Sequence, residues 1–437
     1  MAITITDTPN ALTVKGQQLI YTATSTQTGS VGFKYIVIVK NEAATQIGKF
    51  YIARNPENIL IFNLRGVIDG LVKTDTVDSQ QSDGIIHNLP HAADQQFTVA
   101  ATGCQKFTIE FGEVYGDPLT EAGVFQTETI YLTDGYLQVR DGYQNAMPAY
   151  DSESVTDIGF LLNKEQEFHA LSGLTGIVIE TNNAEYGSVA FRWDSTGLFP
   201  SDADKCRYAI YDAGGIVIAA VEWVVTSAYG GELPSSTTAE DKLLYMGAFP
   251  ANLNDSNSQL TSVLRPVNVT DWLYYTLELF STSASAVVSA PIVFVNTCLP
   301  KKNQQTRLAW TNSVGGWEYM SFDSRTKHTI KARSKDYQKS VGDYGGTTYG
   351  FDQFSRQDTP YYVDADLTYA LQKMGATDIE SRLSQYIVKS KNVMITFDNG
   401  EWLPVVVQSG SVQMQQSKIS KRIDFSINVK LAQREEC

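Results

Sequence analysis

Short apolar runs separated by polar turns recur along the whole chain, and two of them alternate strictly between apolar and polar residues. Over residues 106–115, Phe107, Ile109 and Phe111 fall on one face and polar residues fall on the other, which is the pattern of a half-buried strand. Residues 422–431 alternate without a break. The inward residues predicted for this second strand are Ile423, Phe425, Ile427, Val429 and Leu431.

Shorter apolar runs predict further strands in the first two thirds of the chain. These runs are residues 33–40, 48–53, 58–64, 176–180, 188–193, 206–225 and 272–280. The stretch from Asp212 to Gly215 divides one of them and predicts a hairpin turn, because its two glycines tolerate the positive φ that such turns require.

A second hairpin is predicted near the end of the chain, from residues 393–397 and 402–407. Asn399 and Gly400 lie between these runs and suit a type I′ turn. Pro404 has no backbone N–H to give to a ladder, so it predicts that the second strand of this hairpin lies at a sheet edge or at a bulge.

Thr377 followed by Glu380 is typical of a capping box and predicts a helix over residues 378–388. The abundance of aromatic residues (11%, with 23 Tyr) and of glycine (32) favours short strands joined by turns elsewhere. The predicted fold class is therefore mainly β, built of several sandwich or barrel modules with one or two short helices, notably in the C-terminal domain. The predicted domains are an N-terminal sandwich (1–118), a central β region with long polar loops (119–299) and a C-terminal β domain (300–437).

Charge is distributed unevenly along the chain. Residues 1–299 carry 15 Lys and Arg against 33 Asp and Glu, whereas residues 300–437 carry 19 against 15, for a formal net charge of −14 overall. Because phosphate binding needs clustered Lys and Arg, this acidic balance argues against nucleic acid as a partner. The same polarity can orient neighbouring copies head to tail through complementary potentials.

The start of the sequence shows no secretory signal, and no run of eighteen apolar residues occurs, so we expect neither export nor a membrane partner. The four cysteines, Cys104, Cys206, Cys298 and Cys437, are spaced about a hundred residues apart. This spacing matches neither a metal motif nor a dense disulfide framework, so we expect them to be reduced.

No nucleophile elbow, phosphate loop or zincin motif occurs, so no catalytic residue and no cofactor is predicted. His87 and His91 have the spacing of helical zinc ligands, but Pro90 between them argues against a helix and favours two solvated loop histidines. Asp364 and Asp366 share one face of a predicted strand, where they could bind calcium or act as a glycosidase pair. Surface strands also carry such pairs without any chemistry.

Residues 306–322 contain two of the six tryptophans around Gly315 and Gly316, which predicts an aromatic hairpin. Trp310 and Trp317 can serve either as core anchors of a small domain or as part of an exposed platform for a ligand or partner. The full candidate platform is Trp310, Trp317, Tyr319, Tyr361, Tyr362 and Tyr369.

This hairpin, followed by a strand bearing Lys327, Lys331 and Lys335, a short helix and the hairpin at 393–407, resembles a module of virion proteins from tailed bacteriophages of the crAss-like and related Bacteroidetes-infecting groups. Near the beginning of the chain, residues 9–16, 33–40 and 59–68 are similar to the N-terminal β domain of the same proteins. The resemblance implies a neck, tail or baseplate component that assembles as a symmetric ring in the infected cytoplasm and contacts other virion proteins.

The sequence therefore predicts a non-enzymatic virion structural protein acting through homo-oligomeric and partner interfaces. The expected contact sites are strand edges, aromatic patches and the polar loops at residues 73–95 and 226–241. The alternative is a carbohydrate- or receptor-binding adhesin that uses the aromatic platform, with a glycan as ligand. A glycoside hydrolase is the third candidate, since β-sandwiches host such enzymes.

Overall fold

A computed structural model was obtained for the whole chain. It describes residues 3–75, 77–78, 87–88, 97–99, 102–123, 125–136, 160, 162, 168–171, 174–192, 203–212, 214–224, 243–254, 266, 272–281, 285–287, 289–297, 306–322, 324–340, 342, 346–348, 350, 356–376, 378–397, 402–408, 413–416, 423–432 and 435–436. The prediction of a mainly β fold with several sheets and few short helices is confirmed. None of the helices in these ranges is long and apolar enough to cross a membrane.

The chain divides into two compact units. The first consists of residues 1–299 together with 309–319, and the second of residues 300–308 together with 320–437. The strands of the first unit are β1 (Ile3–Asp7), β2 (Leu12–Val14), β3 (Ile20–Ser25), β4 (Lys34–Asn41), β5 (Gln46–Ile52), β6 (Leu60–Asn63), β7 (Val77–Asp78), β8 (His87–Asn88), β9 (Phe97–Val99), β10 (Cys104–Tyr115), β11 (Thr120–Glu121), β12 (Gln126–Thr133), β13 (Phe168–Leu171), β14 (Leu174–Thr181), β15 (Ser188–Arg192), β16 (Ala203–Asp212), β17 (Val217–Val224), β18 (Leu243–Gly247), β19 (Trp272–Ser281), β20 (Ala286–Val287) and β21 (Ile292–Asn296). Its helices are α1 (Arg65–Ile68) and α2 (Pro250–Asn254).

The first unit begins with a sandwich of two sheets, ordered β1-β3-β6 and β2-β12-β10-β4-β5. The predicted alternation of β10 is confirmed, because Phe107, Ile109 and Phe111 are buried in the core that the two sheets share. Tyr21 of β3 packs into this core from one sheet, and Tyr35 of β4 packs into it from the other.

A second sandwich follows in the same unit. Its sheets are ordered β15-β18-β9 and β13-β14-β21-β19-β16-β17. The turn predicted between β16 and β17 is present: Asp212 Oδ1 accepts hydrogen bonds from Gly214 N (2.8 Å) and Ile216 N (2.9 Å), and Gly215 has a φ of 74°. The core between these sheets is rich in aromatic residues, including Tyr208 and Phe294.

The remaining elements are β22 (Thr306–Thr311), β23 (Trp317–Phe322), β24 (Arg325–Gln338), β25 (Asp358–Ala376), α3 (Asp378–Lys389), β26 (Val393–Phe397), β27 (Leu403–Val407), β28 (Gln413–Gln416), β29 (Ile423–Leu431) and β30 (Glu435–Glu436). Their sheet is ordered β23-β22-β26-β27-β29-β25-β24, with β28 beside β29 and β30 beside β25. The prediction for β29 is confirmed at Ile423, Phe425, Ile427 and Val429, which are buried, while Leu431 is half-buried.

The helix predicted over residues 378–388 is confirmed as α3. It turns Leu383, Tyr386 and Ile387 inward, and Glu380 on its first turn is ion-paired with Lys373 of β25 at 2.7 Å. Thr377, the other member of the predicted capping box, lies outside the described residues.

The prediction that β27 lies at an edge or bulge because of Pro404 is wrong, since β27 runs between β26 and β29. Pairing of β27 with β29 covers only Val405 to Val407, so the missing N–H of Pro404 leaves those pairs intact. The Pro404 carbonyl accepts a hydrogen bond from Ala432 N at 2.9 Å. Asn399 and Gly400 of the predicted turn lie outside the described residues.

The units differ from the three predicted domains. Residues 126–133, which the sequence assigned to the central region, form β12 and pair with β10 of the N-terminal sandwich. Of the two loops predicted as contact sites, residues 226–241 lie outside the described residues, and in the other β7 and β8 form a short antiparallel pair.

Candidate interaction surface

The hairpin at residues 306–322 forms as predicted, and its turn is held by one asparagine. Asn312 Oδ1 accepts hydrogen bonds from Val314 N (3.1 Å) and Gly316 N (2.8 Å), a local geometry that asparagine favours. Gly315 has a φ of 95°, which is strained for residues with a side chain. The tip of the hairpin is tied to β12, since Thr133 Oγ1 donates to the Val314 carbonyl at 2.9 Å.

The two tryptophans of this hairpin are core residues. Trp310 is 0% exposed and Trp317 is 1% exposed, so neither ring is open to a ligand. Trp317 Nε1 donates a hydrogen bond to the Asp75 carbonyl at 3.2 Å. The interpretation of these tryptophans as a platform is corrected in favour of the core interpretation, because an aromatic ring must be accessible to stack on a ligand.

Tyr319 is half-buried and fixed in place. Its hydroxyl accepts a hydrogen bond from Ser188 N at 2.9 Å, and its ring packs against Phe249 with centroids 5.0 Å apart. The cavity beside this ring is large enough for about one water molecule, so it cannot hold a sugar. Tyr319 therefore packs within the first unit and offers no binding surface.

Tyr369 is also buried, at 6% exposed. Its ring contacts those of His328 and Phe397, each with a centroid separation of 4.8 Å. Of the six predicted platform residues, only Tyr361 (64% exposed) and Tyr362 (42%) present large surfaces to solvent. Both lie on the outer part of β25.

Strands β24 and β25 form an unusually long antiparallel ribbon. They have 14 and 19 residues, and their pairing runs from Arg325 opposite Gln372 to Gln338 opposite Asp358. Strand β29 pairs with β25 only from Thr368 onward. Residues 330–338 and 358–367 therefore extend past β29 for about 30 Å at the rise of an antiparallel strand. We call these two stretches the arm.

The arm is exposed along most of its length. Among the described elements, β24 is the outermost strand of its sheet. Along the arm, the edge of β25 that faces away from β24 pairs, among the described residues, only with the two residues of β30. Ile330 is 70% exposed and Tyr337 is 44% exposed. Such an edge offers backbone N–H and C=O groups for pairing with another chain.

Aromatic and cationic side chains cluster at the outer end of the arm. Tyr337 and Tyr361 have ring centroids 6.3 Å apart. The ammonium of Lys335 lies 5.9 Å from the Tyr362 ring, and that of Lys339 lies 5.8 Å from the Tyr337 ring. Tyrosine is enriched in protein interfaces, so this cluster makes the arm the candidate contact surface.

The acidic pair predicted at Asp364 and Asp366 lies on the arm. Asp366 is ion-paired with Lys430, and its other oxygen lies 4.0 Å from Arg333. Calcium needs six to eight oxygen ligands, and no group of three or more metal-ligating side chains occurs among the described residues. Of the predicted histidine pair, His87 lies in β8 and His91 falls outside the described ranges.

Two of the four cysteines predicted to be reduced, Cys104 and Cys206, are buried. Burial raises the pKa of the Cys206 thiol well above its ordinary value, so this thiol is inert in the folded protein. Cys298 and Cys437 lie outside the described residues.

The sequence of β24 carries a pattern that is typical of the arm. Exposed cations occupy alternate positions of β24, at Arg325, Lys327, Lys331, Arg333 and Lys335, which places them on one face of the strand. Only three of these had been singled out, as lysines of a strand. The length of the ribbon and its extension past β29 depend on pairings that the sequence does not show.

Comparison with known proteins adds no identification, because no family model and no curated protein matches this chain.

Proposed function

We propose that this protein is a non-catalytic structural subunit of a multi-copy assembly, and that the assembly is the virion of a tailed bacteriophage, at its neck, tail or baseplate. The observation that carries the first part is the arm, which extends about 30 Å past its neighbouring strand with an exposed edge and exposed apolar side chains. A two-stranded ribbon is only marginally stable in water, so contacts with another protein would stabilise it.

The composition of the arm also supports a protein partner. Its outer end presents Tyr337, Tyr361 and Tyr362 together, and exposed apolar clusters on soluble proteins are typical of interaction sites. The phage setting is supported by the resemblance of both ends of the sequence to tailed-phage virion proteins. A symmetric ring would follow if a heterologous contact between copies closes on itself.

The test of self-assembly uses the purified 437-residue chain. Light scattering coupled to size exclusion, over a hundredfold range of protein concentration, is expected to show a defined oligomer, and electron microscopy is expected to show closed particles. A monodisperse monomer throughout that range would overturn the proposal. For the virion setting, mass spectrometry of purified phage particles is expected to detect peptides of this chain, and their absence from particles would refute that part.

The exposed tyrosines of the arm also favour a second candidate, a glycan-binding adhesin. With Trp310 and Trp317 buried, Tyr337, Tyr361 and Tyr362 are the rings on the arm that a sugar could reach. A glycan array probed with the full chain and with Tyr361→Ala distinguishes the two functions. Saturable binding that the substitution abolishes would favour the adhesin, whereas no binding favours the structural subunit.

A further inference from the structure

The two faces of the arm have different chemistry, as the register of its strands shows. On one face, apolar residues lie opposite each other, with Ile330 paired to Leu367 and Ala332 to Ala365. On the other face, the intervening pairs are Lys331 with Asp366, Arg333 with Asp364 and Lys335 with Tyr362. Since side chains alternate along a strand, the inner half of the arm is an amphipathic ribbon with an apolar face and a basic face. Further out, the first face carries Ser334 opposite Val363 and Asp336 opposite Pro360.

The apolar face of the arm continues a face of β25 that is buried nearer the base of the ribbon. Tyr369 and Leu371 lie on this face of β25 and are buried. Two residue steps further along the same face, Leu367 is half-buried and its partner Ile330 is 70% exposed. An apolar face that is buried along one part of a ribbon and exposed along the next is typical of a surface that another protein covers.

The basic face carries more positive than negative charge. On the arm its exposed cations are Lys331, Arg333 and Lys335, and Arg325 and Lys327 continue the same face toward the base of the ribbon. The carboxylates opposite them are those of Asp364 and Asp366, and Asp366 already has Lys430 as an ion-pair partner. This face therefore presents a positive field that suits an acidic partner surface.

Building on the proposed function, we infer that the arm docks on a second copy of this chain, against the acidic region formed by residues 1–299. That region carries 15 cationic against 33 anionic residues, whereas the region that contains the arm carries 19 against 15. Each copy therefore has both a ribbon face with an excess of cations and a region with an excess of acidic residues that complements it. Because donor and acceptor are different surfaces, the contact is heterologous and joins copies head to tail.

Charge reversal on the arm tests this contact. The test variant is Lys331→Glu/Lys335→Glu, and folding should be unaffected because both lysines are exposed. The control is Lys389→Glu/Lys391→Glu, which replaces two other exposed lysines and changes the net charge equally. We expect the arm variant to weaken self-association by about tenfold or more, with the control unchanged and wild-type association weakening as salt rises. Ile330→Ser should weaken association without a change of charge, and circular dichroism and melting temperature verify that each variant is folded.

Cross-linking identifies the acceptor. An equal mixture of unlabelled and ¹⁵N-labelled chain is treated with a carbodiimide, which joins lysine ammonium to carboxylate with loss of water. Mixed-isotope peptides linking Lys331 or Lys335 to an Asp or Glu within residues 1–299 are expected. Links only within one copy, or only to acids within residues 300–437, would overturn the inference.

The remaining outcomes separate this inference from the proposed function. An oligomer that is indifferent to both arm variants overturns the inference and leaves the structural subunit standing. A chain that stays monomeric overturns both. Tight binding of a fluorescent oligonucleotide that is lost in the arm charge variant, with self-association retained, shows that the basic face serves a polyanion and also overturns the inference.

Discussion

Replacing Trp317 tests whether the aromatic hairpin is a core element. The indole is 1% exposed, so Trp317→Ala removes a large buried ring and leaves a cavity that its neighbours fill only in part. Substitutions of this kind cost about 3–5 kcal/mol. The variant also loses the hydrogen bond from Trp317 Nε1 to the Asp75 carbonyl, which leaves a buried acceptor and contributes about 1–3 kcal/mol of that cost.

Trp317→Phe separates these contributions, because it keeps an aromatic ring and removes the indole N–H. We expect its free energy of unfolding to lie between those of wild type and Trp317→Ala, about 1–3 kcal/mol below that of wild type. Tyr362→Ala is the matched control on an exposed aromatic residue and is expected to cost less than about 1 kcal/mol.

Urea unfolding followed by near-ultraviolet circular dichroism and tryptophan fluorescence measures these differences from the shift of the transition midpoint. The reasoning fails if Trp317→Ala unfolds at the same urea concentration as wild type. If such a stable variant also lost binding to a glycan or a partner, the ring would have to be accessible, contrary to its burial in the first unit.

Three further predictions concern backbone strain, a buried ion pair and pH. Gly315→Ala should lower the melting temperature and reduce the free energy of unfolding by about 1–3 kcal/mol, because φ is 95° and a Cβ there would lie 3.0 Å from Thr133 Cβ. The control Gly346→Ala should leave stability unchanged, since the nearest atom to its added Cβ is 3.7 Å away. Lys15→Met should cost about 1–3 kcal/mol by urea titration, because it removes the ammonium that lies 2.9 Å from the Asp134 carboxylate, which keeps only its hydrogen bonds from Thr74 N and Oγ1. An unchanged midpoint would exclude a structural role for the pair. Burial raises the pKa of Glu278, against the opposing effect of Arg207, so the folded state holds this proton more tightly than the unfolded chain. The contribution of Glu278 to stability therefore falls as pH rises from about 4.5 through its raised folded-state pKa. Glu278→Gln should therefore melt at a higher temperature than wild type at pH 7, with the difference disappearing near pH 4, and an equal gain at both pH values would refute the sign.

Local patterns predicted local structure well in this protein. The alternation of residues 422–431 identified β29, and the turn at Asp212 followed from the conformational freedom of its glycines. The helix α3 followed from its apolar face. Each of these elements depends on interactions between residues close in sequence, which a single sequence displays.

Features that depend on distant pairings were missed. The role of Pro404 was misjudged because its position in the sheet is set by the partner β29, about twenty residues further along, rather than by the proline itself. Burial of Trp310 and Trp317 depends on the surroundings of the hairpin, so sequence left both the core and the platform interpretations open. The extent of the arm likewise depends on where pairing with β29 ends.

One property of strands explains why a core and an interaction surface can lie on the same element. Between Arg325 and Lys335 the register of β24 against β25 is continuous, so a face that is apolar at the base of the ribbon remains the same face along the arm. At the base this face buries Tyr369 and Leu371, and beyond the base it carries Leu367 and Ile330. If the outer part served only to extend the ribbon, polar residues would suit both of its faces, as they suit the opposite one. The retention of an apolar row next to a row of cations therefore favours a partner that is itself apolar and acidic, which the acidic region of another copy can supply.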